Sequence, residues 1–495
     1  MPIKMLGFDY GASSGLGVLG VYDGDKLDLK EIHRFDNTPV FVGRHFRWDF
    51  PRLLHELKAG ARAAVRAGHR DVGSIGVNTW GVDFGLLDEY GELMSNPFHY
   101  RDGLTDDAME SLRAFVPDKE LYGRTGIQFM KFNTIYQLFS IKRIYPKFYE
   151  RACKLLFLPD LFGYFLTGNV TAEYSIASTT AMLDVRRRDW DAELLGMAGI
   201  DDGLLPDVKM PGSALGGLLP QVADETGLEG VQVISVCGHD TAGAVLATPI
   251  KRVNPGAYLS CGTWSLLGVE LDEPLTNDAA FSAQYTNEGG YGGAIRFLKN
   301  TMGQWMANEI KREYELEHGP IEFKVIDALE RESAPFVSFV DVDAPEFAAP
   351  GHMAEKIAAF CDRTGQARPE GLGALIRCVN ESIALSYRYN IDALEKILGR
   401  AMPELRVVGG GIKNKGLMGM AACALERPVV AGPIEASSAG NILAQLLALG
   451  EIKDRWEARQ IIENSFDAHT YEPDASEASG WREALQRYRE TVKGK

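Results

Sequence analysis

Three short stretches combine small residues with oxygen-bearing side chains in patterns that suit phosphate chemistry. The first is Asp9-Tyr-Gly-Ala-Ser-Ser-Gly-Leu-Gly. A carboxylate such as Asp9 repels phosphate but can hold a hydrated Mg²⁺, whose hard charge prefers oxygen ligands. Ser13, Ser14 and Gly15 offer hydroxyls and close-approach amides to phosphate oxygens. An ordinary hairpin turn is the competing explanation of this stretch. The second, Ser260-Cys-Gly-Thr-Trp-Ser around Thr263, is a turn of the same kind. Two such turns facing one another can clamp a polyphosphate tail, and phosphoryl transfer needs positioning and charge neutralisation more than covalent chemistry. In the third, Gly409-Gly-Gly-Ile-Lys-Asn, bare backbone lets a flat base or ribose lie against it, or simply caps a helix; both stay open. A general base completes the chemistry. Asp240, in Gly238-His-Asp-Thr, is placed to take a hydroxyl proton as a phosphoryl group arrives. It can equally be a helix cap. Asp83, in Trp80-Gly-Val-Asp, is a lone acid able to bind a sugar hydroxyl.

The elements that position these residues follow from hydrophobic spacing. Met5–Phe8 and Val18–Val21 read as strands around the first turn. Leu53, Leu54, Leu57, Ala61, Ala64 and Val65 recur at three- and four-residue spacing and predict a helix over Phe50–Ala67. Ser74–Val77 and Val231–Val236 read as strands, with Thr241–Ala247 a helix start after the latter. Asp88-Glu-Tyr-Gly-Glu reads as a hairpin turn. Helices dominate from Asp106 to Leu183. Pro249, Pro255 and Gly256 mark a break, giving a division into 1–248 and 249–495. The second part opens as the first does, with strands Ala257–Ser260 and Leu266–Leu271 around a turn. That similarity suggests a duplicated fold. Leu375–Ile397 and Lys415–Leu425 read as helices, Leu405–Val408 and Pro428–Ala431 as strands, and Ile442–Leu449 as a final apolar helix. The alternation points to an α/β architecture.

Composition narrows the class. The chain has 495 residues, 53 of them glycine, with 45% hydrophobic and 24% charged residues and a net charge of −16. Average glycine usage is near 7%, so the excess calls for tight turns or close backbone approach. The acidic balance and the lack of a basic, aromatic-interleaved stripe argue against a nucleic-acid partner. No apolar run reaches a membrane span, and the early aspartate does not suit a signal peptide, so a cytoplasmic chain is expected. Six scattered cysteines without a C-x-x-C pair read as small buried side chains. Neither a P-loop nor a dinucleotide fingerprint is present.

Taken in order, the motifs resemble the FGGY carbohydrate kinases, and within them the L-rhamnulose kinases. The likeness runs through Asp9-Tyr-Gly-Ala-Ser-Ser-Gly, Asn78-Thr-Trp-Gly-Val-Asp-Phe-Gly-Leu-Leu, Thr125-Gly-Ile-Gln-Phe-Met-Lys-Phe-Asn-Thr, His239-Asp-Thr-Ala, Gly262-Thr-Trp-Ser-Leu-Leu-Gly-Val-Glu, Arg296-Phe-Leu-Lys-Asn and Val408-Gly-Gly-Gly. It implies two actin-like, RNase H-like α/β domains with an active-site cleft between them. Residues 1–248 would carry the sugar site, phosphate turn and base, and 249–495 the ATP site. It also implies Mg²⁺-dependent transfer of the ATP γ-phosphoryl group to a ketose, giving L-rhamnulose 1-phosphate. Kinases for L-fuculose or L-xylulose would use the same base; a non-catalytic actin-like sugar or nucleotide sensor is the other class. By resemblance Asp240 matches the catalytic base, and Gly81, His239, Thr241 and Asn300 match residues around the sugar. Ser13, Ser14, Gly15, Gly17, Thr263, Asn308 and Gly410 fall on the ATP side, with Asp9 the metal-side carboxylate. Four positions depart from the family's habit: Leu16 for arginine, Asn78 for aspartate, Gly238 for serine and Asn308 for glutamine. Monomer and homodimer both stay open.

Overall fold

A computed structural model describes residues 2–494. The chain divides into two compact units. Unit 1 comprises Met1–Pro249, Glu270–Leu298 and Glu435–Phe466; unit 2 comprises Ile250–Val269, Lys299–Ile434 and Asp467–Lys495. Both units are therefore discontinuous in sequence. Two segments beyond residue 249 cluster with the N-terminal part, and one of them contains the helix Ala436–Ala448.

Unit 1 is built on a six-stranded sheet. Its strands are β1 (Ile3–Tyr10), β2 (Ser14–Tyr22), β3 (Leu27–Asp36), β4 (Ser74–Thr79), β5 (Ser213–Gly217) and β6 (Gln232–Ser235), in the spatial order β5-β6-β4-β1-β2-β3. β1 pairs antiparallel with β2 and parallel with β4, so Asp9 lies opposite Leu16 on one side and Asn78 on the other. The expected helix forms over Phe50–Arg66. Asp49 caps it, Pro51 sits in its first turn, and Phe50, Leu53, Leu57, Ala61 and Ala64 face the core. They join Leu6, Phe8, Ile75 and Val77 from the sheet. A second core gathers the helices between Leu104 and Leu205.

Part of the glycine excess proves to be a packing device. A Cβ on Gly20 would lie 2.7 Å from Ile442, one on Gly76 2.7 Å from Asn441, and one on Gly440 1.9 Å from the carbonyl of Gly243. Helices Asp240–Leu246 and Ala436–Ala448 thus meet backbone to backbone. Gly15 is bare for a similar reason, since a Cβ there would enter the ring of Phe35 at 2.2 Å.

Unit 2 repeats the opening pattern. Ala257–Cys261 pairs antiparallel with Trp264–Leu271 and parallel with Leu405–Val408, as β1 does with β2 and β4. Val429–Ala431 and His469–Tyr471 extend this sheet. The long helix Gly371–Leu398 and the helix Lys415–Leu425 pack beside it. One expectation changes in detail. Phe84–Leu87 does turn at Asp88–Glu92, but its strand partner is Lys154–Phe157, and only an isolated bridge joins Leu87 to Leu93.

Candidate active site

The edge of unit 1 where β1, β4 and β6 end collects its acids. Asp9 accepts hydrogen bonds from Asn78 Nδ2 at 2.7 Å and from Ser438 Oγ at 3.2 Å. Asn78 in turn accepts from Asn441, Asn441 from Gln445, and Gln445 from Ser74. This relay locks β1 and β4 to the helix Ala436–Ala448, and Asn78 is buried within it. The amide at 78 is thus what the relay needs, since it must donate to Asp9 and accept from Asn441. Burial, then the negative charge of Asp240 and that of Glu435, pushes Asp9 up to about 7. An excess of negative field on an oxygen ligand is what a hard cation relieves. Among the described residues no three His, Cys, Asp or Glu side chains gather to hold an ion by themselves. Mg²⁺ shared with substrate phosphates needs only one or two carboxylates, so Asp9 fits it.

Asp240 opens its helix. Its Oδ1 accepts from the Thr241 amide at 2.5 Å and the Thr241 hydroxyl at 3.1 Å. Its Oδ2 accepts no hydrogen bond among the described residues, and the side chain is 27% exposed. The cap and base explanations of Asp240 are therefore compatible, one for each oxygen. His239 Nε2 lies 3.5 Å from Oδ1. Gly81 borders the same ring; a Cβ there would sit 3.4 Å from Nε2. Gly238 has a steric reason to lack a side chain. Its amide donates to Glu173 Oε2 at 2.8 Å, and a Cβ would come within 2.7 Å of that oxygen.

Asp83 sits differently from a free sugar ligand. It is fully buried, and Oδ2 accepts from Trp48 Nε1 at 2.6 Å, Trp80 Nε1 at 2.9 Å and the Tyr100 amide at 3.2 Å. Oδ1 accepts from Gln137 Nε2 at 2.9 Å. Burial raises its pKa to about 7 against these four donors. Its place is under an aromatic stack in which Trp48 lies 4.0 Å from Trp80 and 4.2 Å from His99. Burial, then the charge of Arg101, pushes His99 down to about 3, so it stays neutral.

The turn of unit 1 that bears Ser13 and Ser14 is closed by Gly11 N to Ser14 O and tied to Asn37, whose amide donates to Ser13 O and whose side chain donates to Gly11 O. Unit 2 holds a cavity of about 370 Å³, within the range of small-molecule sites. Thr263, Asn308 and Gly410, far apart in sequence, all line it. Ala307, Phe323, Ile326 and Ile376 give it apolar walls, and Gln304, Asn380 and Asn414 give polar ones. Asn414 Nδ2 bridges Gln304 Oε1 and Asn380 Oδ1. The three glycines differ. A Cβ on Gly409 would meet Cys261 O at 2.8 Å and one on Gly411 Cys261 Sγ at 2.2 Å, whereas one on Gly410 would meet nothing within 4 Å. Gly410 alone faces open space. Asn300 lies on the strand Ile295–Met302, four residues beyond Arg296.

Sequence reasoning missed two residues of this site. Arg296, fully buried, donates from Nε to Gly289 O at 2.8 Å and places Nη2 3.1 Å from His239 Nδ1 and 3.2 Å from Glu288 Oε2. An arginine in the run Ile295-Arg-Phe-Leu carried a signal, since a charge inside a buried strand must have a partner. Its partner Glu288 gave none.

These units, each with a repeated strand–turn–strand, define a two-domain α/β fold. Family models describe it more closely: residues 5–247 match the FGGY carbohydrate kinase N-terminal domain and 257–449 the C-terminal domain. A rhamnulokinase of Oceanobacillus iheyensis is 39% identical over 466 residues, covering 94% of this chain and 97% of that protein. One from Bacteroides thetaiotaomicron is 38% identical over 493 residues, covering both chains completely. The solved xylulose kinase of Rhodospirillum rubrum shares the fold with a TM-score of 0.79, at 21% identity, over 98% of this chain and 97% of that one. The chain belongs to the FGGY family of carbohydrate kinases.

Proposed function

We propose that this kinase transfers the γ-phosphoryl group of ATP to L-rhamnulose, giving L-rhamnulose 1-phosphate in the cytoplasm. The observation that carries the reading is Asp240, whose Oδ1 is held by Thr241 while Oδ2 accepts nothing, beside His239 and Gly81. A carboxylate fixed by one oxygen can present the other to a sugar hydroxyl and take its proton as the phosphoryl group arrives. His239, Thr241, Gly81 and Asn300 would surround the sugar. Asp83 would act through the indoles and amide that it holds in place. The cavity lined by Thr263, Asn308 and Gly410 would take ATP, its base between apolar side chains and the bare backbone at Gly410. The turn at Ser13, Ser14, Gly15 and Gly17 would face the phosphates. Asp9 would hold Mg²⁺, which when bound neutralises charge on the phosphates. In this reading residues 1–248 supply the sugar side and base, and 249–495 the nucleotide side. Likeness to rhamnulokinases over nearly the whole chain supports the sugar.

A coupled assay of ketoses with ATP and Mg²⁺ tests it. L-rhamnulose should give the highest kcat/KM. A higher value for L-fuculose or L-xylulose would replace the substrate, and no turnover of any ketose would leave a binding protein.

A further inference from the structure

Beside Asp240 the chain buries a charged group whose purpose the phosphoryl transfer does not itself explain. Arg296 has no exposed surface, and its Nη1 has no hydrogen-bond partner among the described residues. A buried arginine that leaves one amino group unpaired is not placed for its own hydrogen bonding. Glu288 at 3.2 Å balances its charge, and the Gly289 carbonyl at 2.8 Å fixes its orientation. What the guanidinium then meets is the His239 ring, with Nη2 3.1 Å from Nδ1.

Donor chemistry settles the sense of that contact. A guanidinium has five N–H donors and no acceptor, so Nδ1 must accept. A neutral imidazole that accepts at one nitrogen carries its proton on the other. For a neutral ring this shorter contact favours the proton on Nε2 over the alternative, Nδ1 donating to Glu288 Oε2 at 3.5 Å. Nε2 lies 3.5 Å from Asp240 Oδ1 and borders the space kept clear by Gly81. The ring's backbone is held as well, since the His239 amide donates to Ser175 Oγ, which itself donates to Glu173. The charged groups facing the ring are Asp240 from its own helix, Glu288 and Arg296 from the hairpin Thr286–Gly289 and Ile295–Met302, and Glu173 through Ser175.

We propose that Arg296 is a positioning residue that fixes His239 as the Nε2–H tautomer, so that the ring donates a hydrogen bond to a sugar oxygen next to the hydroxyl deprotonated by Asp240. On a ketose phosphorylated at O1, that acceptor is the oxygen on C2. The division of labour is then clear: His239 donates and orients, Asp240 accepts the proton, and the two roles do not interchange. The sugar acceptor rests on the kinase reading above; the tautomer does not.

The test begins with nitrogen NMR of the full-length protein carrying ¹⁵N-labelled histidine rings, His239 being assigned by its loss in His239→Gln. At neutral pH, Nε2 should be protonated and Nδ1 bare. A ring protonated at Nδ1, or at both nitrogens, would overturn the proposal without reference to any substrate. In Arg296→Met/Glu288→Gln, which removes the pair without stranding a charge, the Nδ1–H form should appear; an unchanged ring would remove Arg296 from the role. If that double variant does not fold, kinetics decide. Gln at 239 keeps a donor near the Nε2 position and Leu does not. His239→Leu should lose roughly 5–150-fold in sugar kcat/KM, the equivalent of one buried hydrogen bond, with ATP KM unchanged, and His239→Gln should recover most of it. Equal losses in the two variants would refute the donor role. Failure of the sugar-kinase reading would instead show as no turnover by any ketose, with the NMR result intact.

Discussion

Gly410 and Gly411 are neighbours with opposite surroundings, and substituting each in turn separates nucleotide binding from folding. A Cβ on Gly411 would lie 2.2 Å from Cys261 Sγ and 2.9 Å from Cys261 O, so part of the contact is with backbone that cannot swing away. Overpacking of this kind costs about 1–3 kcal/mol. At about 2–4 °C per kcal/mol for a unit of this size, Gly411→Ala should lower Tm by about 2–12 °C. Gly410 has nothing within 4 Å of its would-be Cβ, and its φ is not among the positive ones. A Cβ there meets no protein atom within 4 Å and no positive-φ strain, so Gly410→Leu should leave Tm within about 1 °C. It would project into the 370 Å³ cavity instead. If ATP lies there, the same 1–3 kcal/mol is charged against binding, about a 5–150-fold rise in ATP KM. Thermal unfolding without ligand and ATP titration at saturating sugar read the two effects separately. Wild-type ATP affinity in Gly410→Leu would remove the nucleotide from this cavity, and equal Tm shifts in both variants would refute the steric reasoning.

Three further outcomes follow from the unit 1 geometry. Asp240→Asn should cut kcat by roughly 10²–10⁴-fold with little change in ATP affinity, read by steady-state kinetics; near-normal turnover would sink the base assignment. Asp83→Ala strands the donors of Trp48, Trp80 and Tyr100, each worth about 1–3 kcal/mol when buried without an acceptor, whereas Gln137 Nε2 keeps the carbonyls of Phe132 and Val82. With water reaching some of them the loss should be about 4–6 kcal/mol, a fall in Tm of about 8–12 °C at about 2 °C per kcal/mol, and a shift under about 2 °C would contradict a structural role. Gly238→Ser must displace Glu173, which four hydrogen bonds from Ser175, Ile176 and Gly238 hold in place, so both Tm and kcat should fall, and a variant with wild-type values of each would show that the pocket has room.

What was legible in the sequence was whatever one segment could carry by itself. The helix over Phe50–Arg66 was written in its apolar spacing and the strand Leu405–Val408 in the three apolar residues around Arg406. The turn that bears Ser13 and Ser14 was written in its small residues. Long-range complementarity was not legible. Glycines at 7, 20 and 76 look like turn or ligand glycines in one dimension, yet they are bare because the helix Ala436–Ala448 lies against them. Asp83 illustrates the same limit. As a lone acid it read as able to bind a sugar hydroxyl, and nothing in its own segment pointed to the partners that hold it from positions 48, 100 and 137.

The same limit has a consequence for the acids of the site. Asp9, Asp83 and Asp240 look equivalent as strand-end or helix-start carboxylates, and only their donors distinguish them. Asp83 has four donors and no surface, which makes it a structural anchor. Asp9 has two donors, but burial and then two acidic neighbours outweigh them and raise it, which suits it to a cation. Asp240 has donors on one oxygen alone, which leaves the other for a proton. In the proposed reading, the number of donors facing each carboxylate, rather than its place in a motif, sorts anchor from cation ligand from base. A protein with a net charge of −16 cannot draw in a triphosphate by its overall field, so under that reading each carboxylate near the phosphates would be neutralised by donors, held by a cation, or kept as the base.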